Sequence, residues 1–143
     1  MVAKFNGNVS RCNELEIQRY KNRLSEPFLD RIDLYVVMND SFSDNKNIVS
    51  SKELHENILK AFVKQKTRGQ KELNGKLSEE DIKKYCILDN EAKEILEKAR
   101  LNYQLTFRSI NKVLKVARTI ADLNDNEIIS KNDLLKSLNF RRR

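Results

Sequence analysis

VARTIADL, residues 116–123, closes a long amphipathic segment that determines the fold of the second half of the chain. Thr106 can cap a helix over residues 107–123, because its hydroxyl can accept a hydrogen bond from an exposed N–H group of the first turn. Apolar side chains recur along this segment at spacings of three and four, which predicts one buried face. That face consists of Ile110, Val113, Leu114, Ala117 and Ala121. Arg118 and Asp122 are i,i+4 neighbours, and a structural ion pair is the favoured interpretation of the two.

Further N-cap patterns divide the surrounding sequence into shorter helices. Ser50 and Ser130 begin capping-box patterns, in which the side chain three residues later can bond back to the cap. Ser78 and Asp89 can cap two more helices. The predicted helices cover about residues 50–68, 78–86, 90–103 and 130–140. We therefore expect residues 50–140 to form a compact helical bundle.

The helix that begins at Ser50 has two distinct faces. Its apolar face consists of Leu54, Ile58 and Phe62, at four-residue spacing. A cationic stripe, at spacings of four, four and three, consists of Lys60, Lys64, Arg68 and Lys71. Such a stripe could follow the phosphates of a nucleic acid, which requires charge but no sequence readout. A solvated helix face explains the stripe equally well.

PFLDRIDL, residues 27–34, has the form of a loop that presents one arginine before a strand. The proline ends any helix that arrives from upstream, since it lacks an N–H group and restricts the residue before it. Residues 34–38 are rich in β-formers and predict a single strand. Because one strand cannot form a sheet, we expect its partners to lie in protein outside this chain.

The sequence before this loop predicts a short helix over residues 14–24. Its inward side chains are expected to be Ile17, Tyr20 and Leu24. After the strand, the polar residues 41–47 mark a boundary between two domains. The first domain covers residues 1–47 and the second covers residues 48–143.

Composition favours a soluble, mainly α-helical chain and leaves few routes to side-chain catalysis. The 143 residues carry a net charge of +7 with only three glycines and one proline, and no apolar run is long enough to cross a bilayer. The basic excess suggests an anionic partner such as DNA or nucleotide phosphate. Two cysteines at unmatched spacing predict free thiols in the cytoplasm and no metal site. His55 is expected to be exposed and Cys86 to be a small buried residue.

Two arginines remain as candidates for chemistry on phosphate. Arg31 follows the proline-constrained turn, and a rigidly held guanidinium can stabilise charge on a transferring phosphoryl group. The alternative is that Arg31 pairs with Asp30 or Asp33 and braces the turn. Arg108 lies in the first turn of the helix 107–123, where the macrodipole favours an anion and an arginine adds a bidentate grip.

These motifs resemble the end of the ATPase core and the helical lid of magnesium-chelatase-like AAA+ proteins of the ComM/YifB competence type. The shared positions include Arg11-Cys12, Arg19-Tyr20, residues 22–25, PFLDRIDL, Gln65, Arg68, Leu73-Asn74, Leu77 and, most specifically, residues 114–123. The resemblance covers nearly the whole chain. It implies a mainly α fold, in which a short helix-strand remnant of the α/β ATPase core precedes a C-terminal helical lid.

The resemblance also implies roles for the two arginines. Arg31 falls at the arginine finger that reaches the ATP of the adjacent subunit, and Arg108 falls at the sensor-2 arginine that contacts the subunit's own γ-phosphate. Phe107 stands where the family has a small residue, and Cys12 alone remains of an upstream cysteine cluster.

The Walker A, Walker B and sensor-1 motifs of the family are absent from this sequence. The chain is therefore expected to bind no ATP or Mg²⁺ alone and to require an N-terminal ATPase core. The resemblance implies a homo-oligomer, a hexamer, whose ATP hydrolysis remodels DNA or a protein complex. The competing hypothesis is a separate basic helical module that binds nucleic acid or protein without any ATPase.

Overall fold

The computed structural model describes residues 3–5, 8–10, 13–23, 25–29, 31–36 and 49–141. The chain divides into two compact units, Met1–Ile48 and Val49–Arg143. The predicted boundary segment, residues 41–47, lies outside the described residues. Each unit is described by itself.

The first unit begins with a hairpin that the sequence did not predict. Strands β1 (Ala3–Phe5) and β2 (Asn8–Ser10) pair antiparallel, with Ala3 opposite Ser10. Helix α1 (Glu14–Lys21) follows, and a capping box with Glu16 fixes its start at Asn13. The short helix α2 covers Glu26–Leu29, so the single proline occupies its first turn, where no N–H group is needed.

Two predictions for this unit are wrong. Tyr20, expected to point inward, is exposed, although Ile17 on the same helix is half-buried. Residues 34–36 belong to no strand, and residues 37 and 38 of the predicted strand lie outside the described residues. A β-rich run becomes a strand only when a neighbour accepts and donates its backbone hydrogen bonds, and β-propensity alone cannot supply that neighbour.

The second unit is a helical bundle in which each α-helix begins directly after its N-cap residue. Its elements are α3 (Ser51–Thr67), a 3₁₀ turn (Asn74–Lys76), α4 (Glu79–Tyr85), α5 (Asn90–Asn102), α6 (Phe107–Leu123) and α7 (Lys131–Asn139). The predicted N-cap side chains each accept a hydrogen bond from the first turn of their helix, and those caps are Ser50, Ser78, Asp89, Thr106 and Ser130. The prediction of a mainly α-helical fold is confirmed.

Helix α6 lies at the centre of this bundle. It packs against α3, α4, α7 and the 3₁₀ turn, while α5 packs against α7. The predicted inward face is confirmed, since Val113, Ala117 and Ala121 are fully buried and Ile110 and Leu114 pack against them. Cys86 is buried as predicted, and it belongs to the same core.

The predicted apolar face of α3 is not covered within this unit. Each of residues 51–60 is exposed, and Leu54 and Ile58 each expose more than half of their surface. Helix α3 instead packs through Ala61 and Gln65, in its C-terminal half. The first ten residues of α3 therefore project from the bundle, and His55 among them is exposed as predicted.

Ile129 joins the bundle through an isolated β-bridge, which the helical spacing of apolar residues does not predict. The fully buried Ile129 forms an isolated parallel bridge with Leu88, supported by backbone hydrogen bonds from Asp89 N–H to Ile129 O and from Ile129 N–H to Ile87 O. This bridge connects the α4–α5 turn to the loop between α6 and α7. Among the described residues, no helix is long and apolar enough to cross a membrane.

Candidate functional site

Arg108 is the second residue of α6, and its position follows from a well-formed cap. The Thr106 hydroxyl accepts a hydrogen bond from Ser109 N–H at 3.2 Å, so the chain turns into the helix immediately before Arg108. The first turn contains no acidic residue, and the Arg108 side chain is exposed. Phe107 is also exposed, which explains why a large residue at this position leaves the cap intact. The start of α6 is therefore compatible with an anionic ligand.

Arg31 lies in a turn directly after α2. Its backbone N–H donates to Phe28 O at 3.0 Å, and the next N–H, of Ile32, donates to Leu29 O at 3.1 Å. These two bonds continue the winding of α2 for one more turn and fix the backbone that carries the arginine. The Arg31 side chain is exposed. The structure thus places an exposed Arg31 in a hydrogen-bonded turn, but no strand follows it over residues 34–36.

The cationic stripe is divided by its ion pairs. Lys64 Nζ lies 2.7 Å from a carboxylate oxygen of Asp125, and Arg68 forms an ion pair with the buried Asp122. The hydrogen bond from Lys64 lowers the pKa of Asp125, and the positive charge of the same lysine lowers it further. Lys60 and Lys71 are exposed. The stripe therefore contains two residues that pair with carboxylates, Lys64 and Arg68, and two exposed lysines.

Asp122 is the centre of a buried polar network that the sequence only partly revealed. One of its oxygens accepts from Arg118 Nε at 3.2 Å and from Arg68, while the other accepts from Asn74 Nδ2 at 2.7 Å. The predicted pair with Arg118 is confirmed, and both side chains are fully buried. Gln65 holds the other side of Asn74, because its side-chain oxygen accepts from Asn74 N–H at 3.0 Å.

Arg118 uses its remaining donors on the backbone. Its two terminal nitrogens donate to Asn126 O at 2.6 Å and to Glu127 O at 2.7 Å. The network therefore ties α3, the 3₁₀ turn, α6 and the loop after α6 into one unit. Burial lowers the pKa of Arg118, and the nearby Asp122 carboxylate opposes that shift. Arg118 is a structural residue and is inaccessible to a ligand.

The only sequence signals for this network were two polar residues, Asn74 and Gln65, which turn out to be buried. Asn74 and Gln65 belong to the quoted motif positions, but their polarity favours a surface interpretation until α6 is placed beside them. All buried polar side-chain atoms of the described residues have a hydrogen-bond partner. A buried polar network stabilises a fold only when all of its polar atoms form hydrogen bonds in this way.

Metal and thiol chemistry have little basis in the described part of the chain. No group of three or more potential metal ligands occurs there. Burial raises the pKa of the Cys86 thiol to about 11, so at neutral pH the group remains a protonated, poorly nucleophilic thiol. Cys12, which the resemblance places at a former cysteine cluster, lies outside the described residues.

Comparison with known families agrees with the helical bundle and its central α6 motif. Residues 49–141, about two thirds of the chain, match the family described as magnesium chelatase, subunit ChlI C-terminal. The chain belongs to this family. Residues 2–46 match the family described as magnesium chelatase, subunit ChlI, so the two matched regions follow one another along the chain.

Curated relatives show the same affiliation. An uncharacterised protein YifB of Salmonella typhimurium is 34% identical over 145 residues, and YifB of Escherichia coli is 34% identical over 142 residues. The competence protein ComM of Haemophilus influenzae is 33% identical over 142 residues. In each comparison the alignment covers 96% of this chain and 28% of the relative. The chain therefore spans little more than a quarter of the length of these proteins, and the predicted membership of a ComM/YifB-type group is confirmed.

Proposed function

We propose that this chain supplies the lid and two ATP-sensing arginines of a magnesium-chelatase-like AAA+ ATPase. In this proposal Arg108 contacts the γ-phosphate of the subunit's own ATP, and Arg31 reaches the ATP of the adjacent subunit. A preceding ATPase core binds ATP and Mg²⁺, because this sequence contains no Walker-type loop. The active protein is then a ring of such subunits, a hexamer.

The observation that carries the proposal is the exposed Arg108 at the capped start of a 17-residue helix. A cation at this end is unfavourable for the helix by a few tenths of a kcal/mol, because the macrodipole is positive there. The N–H groups at the start of α6 and the guanidinium of Arg108 can both bind phosphate oxygens. An anionic ligand at this end of α6 would interact favourably with the helix dipole and with the guanidinium.

The turn at Arg31 supports the second half of the proposal. An arginine finger must reach a phosphate in another subunit, so its side chain has to leave its own unit from a fixed backbone. Arg31 is exposed, and hydrogen bonds to Phe28 O and Leu29 O hold its backbone segment. The link between this geometry and ATP hydrolysis is part of the proposal, and membership of the magnesium chelatase ChlI C-terminal family supports it.

We further propose that the energy of hydrolysis is used to remodel DNA. The net charge of +7 and the two exposed lysines of the cationic stripe support an anionic substrate. The name of the Haemophilus relative connects that protein with competence. Remodelling of a protein complex is the second possibility, and the exposed apolar face of α3 favours it.

The proposal is tested in a full-length protein that carries this segment after an ATPase core. Arg31→Ala should reduce ATP hydrolysis at least a hundredfold while ATP binding changes little, since an arginine finger acts mainly in the transition state. Arg100→Ala is the matched control, because Arg100 is exposed on α5 and its guanidinium forms an exposed ion pair with Glu97 on the same helix. The 143-residue chain alone should not hydrolyse ATP. Hydrolysis near the wild-type rate in Arg31→Ala would assign this arginine to bracing the turn.

A further inference from the structure

The end of α7 lies against the beginning of α6. Arg141 follows α7, and its backbone N–H donates to Leu138 O at 3.1 Å, which continues the last turn. Its guanidinium donates from Nη2 to Ser109 Oγ at 3.1 Å, a contact between residues 32 positions apart. Ser109 directly follows Arg108 and is only 4% exposed. A charged side chain from the end of the bundle thus bonds to the first turn of α6.

Ser109 is also part of the cap of α6. Its N–H donates to Thr106 Oγ1 at 3.2 Å, and the two hydroxyls are hydrogen-bonded at 3.1 Å. Arg141 therefore acts on a hydroxyl that is already held by the helix cap. Hydrogen bonds therefore link Thr106, Ser109 and Arg141, and they hold in place the first turn of α6, which contains Arg108.

A guanidinium at the end of α7 is favourable for the macrodipole of α7, but it is not favourable for the start of α6. The first turn of α6 contains Arg108 and no acidic residue, and its N–H groups carry the positive end of the macrodipole. A second arginine there is repelled by the first and by the helix. An uncharged donor such as glutamine could make the same hydrogen bond to Ser109 without this repulsion.

We infer that Arg141 is a positioning residue for the ATP-sensing Arg108. This inference rests on the proposed function of Arg108. Through Ser109 Oγ, Arg141 holds the first turn of α6 so that the guanidinium of Arg108 is directed toward the phosphate of the bound nucleotide. The last turn of α7 would then contribute to nucleotide sensing, although the sequence contains no recognisable motif at residues 137–141.

The test uses Arg141→Ala, Ser109→Ala and the double variant in the full-length ATPase. Each single change should raise KM for ATP about fivefold, as expected for the loss of one hydrogen bond to a charged group that is partly exposed. The double variant should show the same rise as either single variant, since both changes remove the same bond. Arg141→Lys should recover part of the loss. Arg100→Ala should leave KM unchanged.

Four results would overturn the inference. A rise in KM for Arg141→Ala without one for Ser109→Ala would mean that Arg141 acts by another route. A lower melting temperature with unchanged KM would assign Arg141 to stability alone. If Arg108→Ala itself leaves hydrolysis unaffected, the proposed function fails and the inference fails with it. If Arg108→Ala impairs hydrolysis but the Arg141 and Ser109 variants do not, only the inference is wrong.

Discussion

The guanidinium of Arg118 lies 2.9 Å from the carboxylate of Asp122, and neither side chain is exposed to solvent. The two residues are one helical turn apart on α6, so the helix itself brings them together. Their pairing offsets the cost of burying two charges, since either charge alone would be strongly destabilising in the core. Because Arg118 also holds the loop after α6, the pair determines the shape of one end of the bundle.

Replacing Asp122 by alanine should strongly destabilise the bundle. The change leaves the buried Arg118 without its carboxylate and removes an acceptor from Arg68 and Asn74. We expect the free energy of unfolding to fall by about 3–5 kcal/mol, the usual cost of leaving a buried charge unpaired. Urea denaturation of the 143-residue chain, followed by far-ultraviolet circular dichroism, measures this loss.

Asp125→Asn is the matched control for Asp122→Ala. Asp125 also forms an ion pair between α3 and the end of α6, but its side chain is 94% exposed. Its φ of 61° requires a residue that tolerates the left-handed conformation, and asparagine does so. Exposed ion pairs contribute little, so the urea midpoint should scarcely change. Equal losses for the two variants would contradict the distinction between buried and exposed pairs.

Asp133 should make the bundle sensitive to acid. Burial alone would raise the pKa of Asp133, but hydrogen bonds from Ser130, Asn126 and Asn124 lower it below the ordinary 3.8. Its contribution to the free energy of unfolding is therefore present above that value and is lost as the pH falls through the lower pKa of the folded state. Asp133→Asn should remove the part of the pH dependence that comes from this carboxylate.

Urea titrations of the wild type and Asp133→Asn between about pH 5 and pH 2.5 measure the difference. The variant should be less stable at neutral pH, because the carboxylate also forms the capping box of α7. Its free energy of unfolding should decline less steeply with acid than that of the wild type. Parallel pH profiles for the two proteins would show that Asp133 has no lowered pKa in the folded state.

Lys60 and Lys71 should contribute to any binding of DNA by the full-length protein. Lys60→Glu with Lys71→Glu should weaken binding and reduce the slope of log K against log salt by about two, one for each lost phosphate contact. Fluorescence anisotropy at several salt concentrations measures both effects. The control, Lys93→Glu with Lys98→Glu, makes the same change in net charge on exposed positions of α5. If both double variants weaken DNA binding equally, the loss reflects net charge, and Lys60 and Lys71 have no specific role.

Local signals in the sequence were sufficient to predict most of the helices. The starts of α3 and α7 follow from Ser50 and Ser130, because a capping box needs only residues three positions apart. The buried face of α6 was predictable for the same reason, since Val113 and Ala117 repeat with the helical period.

Long-range relationships were not predictable in this way. Arg68 reaches Asp122 across 54 positions, so its place in the cationic stripe gave no sign of a buried partner. Leu54 and Ile58 have the spacing of a buried face, but periodicity does not reveal whether another element covers it. The hairpin at residues 3–10 is too short for alternation to be distinguished from coil.

The trans-acting role of Arg31 and the cis-acting role of Arg108 are tested most directly by mixing two inactive variants of the full-length ATPase. Arg31→Ala and Arg108→Ala should each be nearly inactive alone. In a randomly mixed ring, about a quarter of the sites combine an intact Arg108 with an intact Arg31 from the neighbouring subunit. The account predicts recovery of roughly that fraction of wild-type hydrolysis. A mixture no more active than either variant alone would contradict it.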